Sequence, residues 1–436
     1  MSKITYLGHA CVLFENEDTR LLQDPWLGTP AYFNSWFHFP RSVPIEKVPR
    51  PTHIYVSHAH QDHLNKESLS KFDKNTQIII ANVEPEFKGQ PPVRDQIESL
   101  GFKKIVELSN FESYTIGNTK LTMLVNQYDS GLCIQDKKTT MLNTNDCIIE
   151  PLMGRIKARF TPIDVAFMLP IAANAFPQCY ELEDLNESKN TAHLRDIARF
   201  IQRTLYLQPR YVVPFACMYA HFKEDLKHLN GGFNASDSLQ FMKSFIYPTN
   251  KLGPKIKTVL MAPGDYWTNK NGYHKVNKFN WNDIDGEYNK AQKQIKEILD
   301  SRIFNGTEIT YTSISTDQVT IKKIQKEERT DFEQSFVDFF KRLFKITERD
   351  NFRALFDFGW YRPLVDFKNQ KITKPDSKNS WNICYQISPE IFKFFIENPA
   401  EWGNIMLSYR IKIKIKKGFR YNEHKLQQTF HNAYTA

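Results

Sequence analysis

Three histidines and an aspartate lie within six positions in the first sixth of the chain. They are His58, His60, Asp62 and His63, in the pattern H-x-H-x-D-H. Imidazole nitrogens and carboxylate oxygens are the usual protein ligands of zinc and non-haem iron, and this number of them can serve two neighbouring ions. Because His58 and His60 are two positions apart, they cannot share one face of a helix, which excludes a helical H-E-x-x-H site. The pattern therefore predicts a metal site on a loop.

A rigid element must hold such a loop, and the flanking sequence supplies one. Residues 51–56 form a short run of β-branched, aromatic and apolar side chains that is typical of a buried strand. The cluster begins where this strand ends, and residues 65–72 follow with the pattern of a helix. A strand that ends in a loop of ligands holds them in a fixed geometry.

The run S-H-A-H-Q-D-H-L at residues 57–64 resembles the signature of the metallo-β-lactamase superfamily. Other segments fit in the same order: a strand at residues 4–14 with a G-H-A turn, D-P-W-L at 24–27, and L-N-T-N-D-C at 142–147. Within the superfamily, the segments at 24–27, 57–64 and 142–147, together with P-F-A at 214–216, most resemble the catalytic domain of CMP-N-acetylneuraminate hydroxylases. The resemblance covers about residues 1–268 and implies an α/β fold, a four-layer αββα sandwich with the metals at one edge of the sheets.

The resemblance also implies roles for individual residues. His58 and His60 would hold one ion, Asp62 and His63 the other, and Asp146 would lie between the two. Asp62 is also assigned to catalysis, together with two residues that would orient the ligands, His9 and Asp24. For these two residues, packing in a turn is the alternative.

The family's last histidine is best matched by His221, just after the predicted strand at residues 211–215; the alternative is an exposed histidine at the start of a helix. The superfamily usually supplies another histidine before the bridging aspartate, but this chain has none between His63 and His193. Asp129 is the candidate substitute, with Gln127 or water as alternatives. His193 lies on a predicted amphipathic helix and is assigned to the surface. The predicted metal ligands are therefore His58, His60, Asp62, His63, Asp129, Asp146 and His221.

Two enzymatic functions and one non-enzymatic function fit such a site. An oxygen ligand in place of nitrogen favours a harder metal, so we expect two divalent ions, iron first, with zinc or manganese as alternatives. Two irons favour an oxygenase or hydroxylase acting on a small or sugar-nucleotide-like substrate. No C-x-H…C-x-x-H pattern of a Rieske module occurs in the sequence, so an oxygenase needs an external electron donor. The alternatives are a zinc or manganese hydrolase of a phosphodiester, amide or lactone, and a noncatalytic metal-binding scaffold.

Composition and charge limit the kinds of substrate and binding partner that the protein is expected to have. The net charge of +9 favours a small anionic substrate. Alternating isoleucine and lysine at residues 411–417 predicts an edge strand protected by lysines, and zinc-finger spacings, RNP-like patterns and P-loops are absent from the sequence, so we expect no nucleic-acid partner. No apolar run approaches the roughly 20 residues of a membrane span. Six cysteines without a CxxC pair predict free thiols in a cytoplasmic protein.

A length of 436 residues is sufficient for two domains. The predicted catalytic domain covers residues 1–268, and residues 286–436 predict an α+β accessory domain that weakly resembles sterol-carrier modules through an S-P-E-x-F…W-x-x-x-x-L-S-Y-R-I pattern. Phenylalanines between residues 332 and 344 fall mostly at helical intervals and predict a core-facing stripe. This second domain could bind a partner surface, cap the catalytic domain or form a homodimer.

Overall fold

The structure is a computed structural model that describes residues 1–86, 90–181, 185–230, 256–302, 308–311, 319–347, 349–375, 381–417, 419 and 430. Its strands, in chain order, are β1 (Lys3–Gly8), β2 (Cys11–Glu15), β3 (Arg20–Gln23), β4 (Phe37–His38), β5 (His53–Val56), β6 (Gln77–Ala81), β7 (Ile105–Leu108), β8 (Ser113–Ile116), β9 (Thr119–Asn126), β10 (Asp129–Gln135), β11 (Thr140–Asn143), β12 (Val165–Met168), β13 (Tyr180–Glu181), β14 (Tyr211–Pro214), β15 (Tyr219–Ala220), β16 (Lys257–Thr258), β17 (Tyr266–Thr268), β18 (Gly272–His274), β19 (Glu308–Tyr311), β20 (Val319–Lys322), β21 (Arg353–Asp357), β22 (Leu364–Asp366), β23 (Lys371–Thr373), β24 (Ile383–Ile387) and β25 (Ile411–Ile415).

The helices are α1 (Lys66–Ser70), α2 (Val93–Ser99), α3 (Met153–Phe160), α4 (Ala175–Gln178), α5 (Leu185–Leu207), α6 (Ile284–Arg302), α7 (Arg329–Ile346), α8 (Pro389–Glu397) and α9 (Trp402–Leu407). Short 3₁₀ turns lie at Ile45–Lys47, Glu150–Leu152, Lys227–Leu229, Lys326–Glu328 and Pro399–Glu401.

Two large sheets form the amino-terminal part of the molecule. The first has the strand order β18-β17-β1-β2-β3-β5-β6-β7, and the second has the order β16-β14-β12-β11-β10-β9-β8. Alternate side chains of both sheets meet in one core, which includes Val12, Phe14, Leu132 and Val213. A second core lies between the first sheet and α1 and α2, and a third lies between the other sheet and α3 and α5. These layers are helix, sheet, sheet and helix, which confirms the expected αββα sandwich.

The expected opening strand at residues 4–14 is a hairpin, β1 and β2, with a turn at the G-H-A sequence. Gly8 has φ 136°, which is open to glycine, and a Cβ added there would lie 3.0 Å from the Cα of Ser42. His9 follows with φ 49°. The turn therefore places the buried His9 side chain at the end of the first sheet.

A third sheet organises the carboxy-terminal part, with the order β13-β25-β24-β21-β22-β23. Strand β13 comes from the amino-terminal part and pairs with β25 through Tyr180 and Ile413. Because β25 also pairs with β24, it lies inside the sheet, and the predicted edge strand at residues 411–417 is wrong. Its lysines still face outward: Lys412 is exposed, and Lys414 lies 2.8 Å from Glu181.

The predicted phenylalanine stripe lies on α7. Four of its members, Phe332, Phe336, Phe339 and Phe340, are buried against the third sheet and α8. Helix α8 begins as expected, with Pro389 in its first turn and the Ser388 side chain accepting a hydrogen bond from the Ile391 amide. The division into residues 1–268 and 286–436 and the sterol-carrier likeness stay predictions. The first sheet extends to His274, past the predicted boundary.

All six cysteines are buried and free. Within the described residues, no helix is both long enough and apolar enough to cross a membrane.

The packing of α7 generates a stability prediction. Phe336 is fully buried, and its ring lies within 6 Å of Phe340, Phe356 and Phe392. We expect Phe336→Ala to lower the free energy of unfolding by about 3–5 kcal/mol, because it leaves a cavity in an aromatic core. Phe176→Ala, at a ring that is 42% exposed, is the matched control and should cost less than about 1 kcal/mol. Urea denaturation measures both, and equal losses would contradict the packing described here.

Candidate metal centre

The loop of residues 57–65 is fixed at both ends. Strand β5 ends at Val56, and the next amide, that of Ser57, donates to Asp24 Oδ1 at 2.8 Å. At the other end, the Asn65 side chain accepts a hydrogen bond from the Ser68 amide and begins α1. In between, the Leu64 amide donates to the carbonyl of His60 at 2.7 Å. The loop is therefore a compact turn between a strand and a capped helix.

His63 is oriented by a buried carboxylate. Its Nδ1 lies 2.9 Å from Asp24 Oδ2, and neither side chain is exposed. Its Nε2 lies 3.5 Å from both Asp62 Oδ2 and Asp146 Oδ1. A carboxylate acceptor at Nδ1 keeps the proton there and leaves Nε2 as a lone-pair donor, the arrangement found behind metal-ligating histidines. Asp24 therefore lies where it can orient His63, and its role stays a prediction.

His58 and His60 face each other, with His58 Nε2 2.8 Å from His60 Nδ1. On its far side, His60 Nε2 lies 3.2 Å from Glu86 Oε2. Burial opposes protonation of His60, but the hydrogen bond and charge of Glu86 outweigh burial and raise its pKa to about 9. Burial and the neighbouring His63 and His60 lower the pKa of His58 well below its usual value. Glu86 was not among the predicted site residues, because no spacing in the sequence connects it with the cluster.

Asp62 is held by two buried groups from the amino-terminal segments. His9 Nε2 lies 2.8 Å from Asp62 Oδ2, and the Tyr32 hydroxyl donates to Oδ1 at 2.5 Å. Although burial opposes ionisation, His63 and His9 hold the pKa of Asp62 well below its usual value. Asp62 is therefore a carboxylate. His9 has the predicted orienting position, whereas Tyr32 was not anticipated.

The bridging candidate Asp146 follows a turn at the end of β11. The Asn145 amide donates to the side chain of Asn143 at 3.0 Å, and Asn145 has φ 44°. This local bend directs Asp146 Oδ1 towards His63.

Of the two candidates for the missing histidine, Asp129 lies at the cluster. Its Oδ1 is 3.5 Å from His58 Nδ1, and the residue is 9% exposed. Gln127 is exposed and occupies the β9–β10 turn with φ 58°. Burial and the neighbouring Asp146 raise the pKa of Asp129 to about 7, because two carboxylates repel each other in a desolvated place.

These donors fit metal ions. Three buried atoms that face the cluster have no hydrogen-bond partner: His63 Nε2, Asp129 Oδ1 and Asp146 Oδ1. Unpartnered buried polar atoms are rare in proteins, and a cation would satisfy all three. Two groups of three residues could each hold an ion, because the ligand atoms within a group lie within 4.8 Å of one another: one group is His9, Asp62 and His63, and the other is His58, His63 and Asp146. His63 belongs to both groups, whereas the sequence predicted that each ion has its own pair of ligands.

His221 lies elsewhere, and the geometry does not support its prediction as a ligand. Strand β15 pairs with β4, and His221 follows β15 directly. Its Nδ1 lies 2.7 Å from the carbonyl oxygen of Ser35. The ring contacts Tyr219 and Tyr409. His193 lies on α5, but its side chain is outside the described part of the structure.

A cavity of about 380 Å³ opens onto the cluster. His60, Asp129 and Asp146 line one side, and residues of α5 and α9 line others. Helix α9 is held there by a hydrogen bond from Trp36 Nε1 to the Leu407 carbonyl at 2.8 Å. The carboxy-terminal part of the chain therefore contributes to the site, which the sequence alone did not reveal.

Comparison with known proteins agrees with this architecture. Residues 3–216 match the family model of the beta-lactamase superfamily domain. Over 194 residues the chain is 29% identical to a protein named as a candidate Rieske 2Fe-2S iron–sulfur protein from Mycolicibacterium smegmatis, covering 41% of this chain and 36% of that one. Over 238 residues it is 29% identical to the cytidine monophosphate-N-acetylneuraminic acid hydroxylase of Pongo pygmaeus, covering 49% and 38%. The structure of CmlA, a diiron β-hydroxylase from Streptomyces venezuelae, aligns with a TM-score of 0.42 at 18% identity, covering 59% and 53%.

Residues 3–216 thus match a domain of the beta-lactamase superfamily, which is a superfamily of enzymes, and the similar proteins include hydroxylases. The chain spans less than half the length of these curated relatives, between 36% and 46% when a similar Mycobacterium tuberculosis protein is included.

The Asp24–His63 contact generates a prediction for metal affinity. In Asp24→Asn, the amide oxygen can still accept from Ser57, so the NH₂ group faces His63 Nδ1 and moves the imidazole proton to Nε2. We expect metal affinity to fall by about 10–100-fold, measured by competition with a chelating dye. Asp95→Asn, at an exposed residue of α2, is the control. Unchanged affinity in Asp24→Asn would rule out this orienting role.

His221 generates a prediction for stability against pH. Burial lowers its pKa to about 4, from about 6.5 in an unfolded chain. Between these values the unfolded chain binds a proton that the folded protein does not, so stability falls as the pH falls from 6.5 towards 4, by about 3 kcal/mol for this group. His221→Asn keeps a donor for the Ser35 carbonyl but does not titrate. The free energy of unfolding of this variant should fall less between pH 6.5 and pH 4 than that of the wild type, and its metal content should be unchanged. Parallel curves of unfolding free energy against pH would refute a lowered pKa of His221.

Proposed function

We propose that the chain is the catalytic part of a dinuclear-iron oxygenase that hydroxylates a small molecule. The observation that carries the proposal is Asp129: where the superfamily usually has a histidine, a buried carboxylate oxygen without a hydrogen-bond partner lies beside His58. An oxygen donor at this position favours iron or manganese over zinc.

In this proposal His58, His60 and Asp129 would hold one ion and Asp62 and His63 the second. Asp146 would be a ligand shared with His63, because its Oδ1 lies 3.5 Å from His63 Nε2 and His63 belongs to both ligand groups. Two irons bound there would supply the redox chemistry that activates dioxygen.

The chain's own residues would position the ligands and keep water away. Asp24 fixes the tautomer of His63, and His9 and Tyr32 fix both oxygens of Asp62. Apolar side chains of Leu169, Met406 and Leu407 line the cavity beside the centre, and they would exclude bulk water from a bound substrate.

Hydroxylation by dioxygen consumes two electrons and two protons, because one oxygen atom enters the substrate and the other becomes water. We infer that a separate iron–sulfur protein or module supplies these electrons. Support comes from the relatives, one named for a Rieske 2Fe-2S centre and another for a hydroxylase, each matched over part of its length.

Metal analysis of protein purified anaerobically without a His-tag tests the proposal. We expect about two irons per chain and a Mössbauer spectrum of a coupled pair that changes on exposure to oxygen. Two zinc ions with phosphodiesterase, amidase or lactonase turnover would establish the hydrolase instead. At most one loosely bound ion would favour a noncatalytic scaffold.

The proposed role of Asp129 predicts a contrast between neighbouring residues. Asp129→Ala should lower the metal stoichiometry and abolish turnover, because it removes a ligand oxygen, whereas Gln127→Ala at the exposed turn should leave both unchanged. Metal content measured by plasma mass spectrometry would distinguish them. Full metal content in Asp129→Ala would transfer the role to water.

A further inference from the structure

The cavity beside the metal centre has a cationic wall. Arg195, Arg199 and Arg203 follow one another at intervals of four residues on α5, so they share one face of the helix and line the cavity. Arg203 pairs with Glu150, its Nε donating to Oε1 at 3.0 Å and its Nη2 to Oε2 at 2.9 Å, which neutralises its charge. Arg195 and Arg199 share a single carboxylate, Asp196, at 3.2 and 4.0 Å. Two guanidinium groups against one carboxylate leave an excess positive charge at this wall.

Asp196 itself has an unused acceptor. The residue lines the cavity and is 7% exposed, and its Oδ1 faces the two arginines. Its Oδ2 is buried and has no hydrogen-bond partner. A buried carboxylate oxygen without a donor is unfavourable, so a ligand that brings a hydroxyl or amino group would satisfy it.

The cavity is lined by residues of both the metal cluster and the carboxy-terminal part. His60, Asp129 and Asp146 of the cluster line it, as do Asn404 and Leu407 of α9. A volume of about 380 Å³ falls within the range of about 300–1,000 Å³ that small-molecule sites occupy. The carboxylates at the metal end repel anions until cations offset them, whereas the α5 wall attracts anions.

We infer that Arg195, Arg199 and Asp196 form an anchoring subsite for the substrate. It binds a small molecule that carries an oxyanion, carboxylate or phosphate, with a hydroxyl or amino donor beside it. Guanidinium groups match the planar geometry of such oxyanions, and Asp196 Oδ2 accepts from the neighbouring donor. The inference rests on the proposed function, because it makes the metal centre the reacting end of the same cavity.

Calorimetric titration of the full chain tests the subsite, with and without iron. The probes are glycerate and glycerol 3-phosphate, which distinguish a carboxylate from a phosphate, with propionate as the acid lacking hydroxyls and glycerol as the neutral control. We expect at least one of the two hydroxylated anions to bind, more tightly with iron present, and Arg195→Met/Arg199→Met to bind it about 10–100-fold more weakly. Arg50→Met removes the same charge at a side chain that is 75% exposed and outside the cavity, and should bind normally.

Both cavity arginines are more than half exposed, so their replacement leaves the core intact. In Asp196→Asn, the amide donates where the carboxylate accepts, and the preference for glycerate over propionate should disappear; a preserved preference would overturn the role of Asp196. Equal binding of the probes by wild type and the double arginine variant would overturn the subsite, even if the chain held two irons. Arginine-dependent binding by a chain that takes up no metal even when iron is supplied would retain the subsite and reject the oxygenase.

Discussion

The buried carboxylate of Asp24 is the constraint on which the metal loop depends. One oxygen accepts from the Ser57 amide, and the other lies within hydrogen-bond distance of the Ser57 hydroxyl and His63 Nδ1. A carboxylate with no exposed surface is tolerated only when such partners satisfy it. The same contacts tie the end of β3 to the loop after β5, so the two strand ends and the imidazole of His63 are fixed as one unit. Without these contacts, nothing in this part of the loop would offset the cost of burying its imidazoles.

The loop fixed by Asp24 brings several buried carboxylates together, and the surrounding protein groups do not satisfy all of their oxygen atoms. Asp62, Asp129 and Asp146 approach three imidazoles, and several of their atoms face the centre without a hydrogen-bond donor. Desolvated carboxylates side by side are unfavourable, and the raised pKa of Asp129 expresses that repulsion. Divalent cations would reverse the sign of the interaction and turn a destabilising cluster into a stabilising one. Bound cations would therefore stabilise the cluster, and the protein should be less stable without them.

Local sequence predicted what lies close in sequence, and little else. The H-x-H-x-D-H loop, its flanking strand and helix, and the D-P-W-L aspartate are contiguous patterns whose geometry follows from the neighbouring backbone. Other residues come close to the site only because distant elements pack together: Glu86, Tyr32 and the arginines of α5. No spacing in the sequence predicts them. His221 lies away from the cluster for the same reason: the pairing of β15 with β4 directs it there, and sequence order does not reveal this pairing. Likewise, the alternation at residues 411–417 specified a strand with one wet face, but not the neighbour β13 that covers its edge.

The carboxy-terminal part is mechanically connected to the metal ligands through one short segment. Tyr32, Phe33 and Asn34 have φ values of 49°, 55° and 56°, a left-handed run that costs L-residues about 1–2 kcal/mol each. Such strain persists only where surrounding contacts impose it. At one end the Tyr32 hydroxyl holds Asp62; two residues beyond the run, Trp36 stacks on Tyr219 and donates to the Leu407 carbonyl. The ring of Phe33 meets Phe394 of α8 at 5.8 Å. The docking of α8 and α9 and the orientation of Asp62 thus both involve residues in or next to one strained turn. A change that loosens either contact should therefore weaken the other.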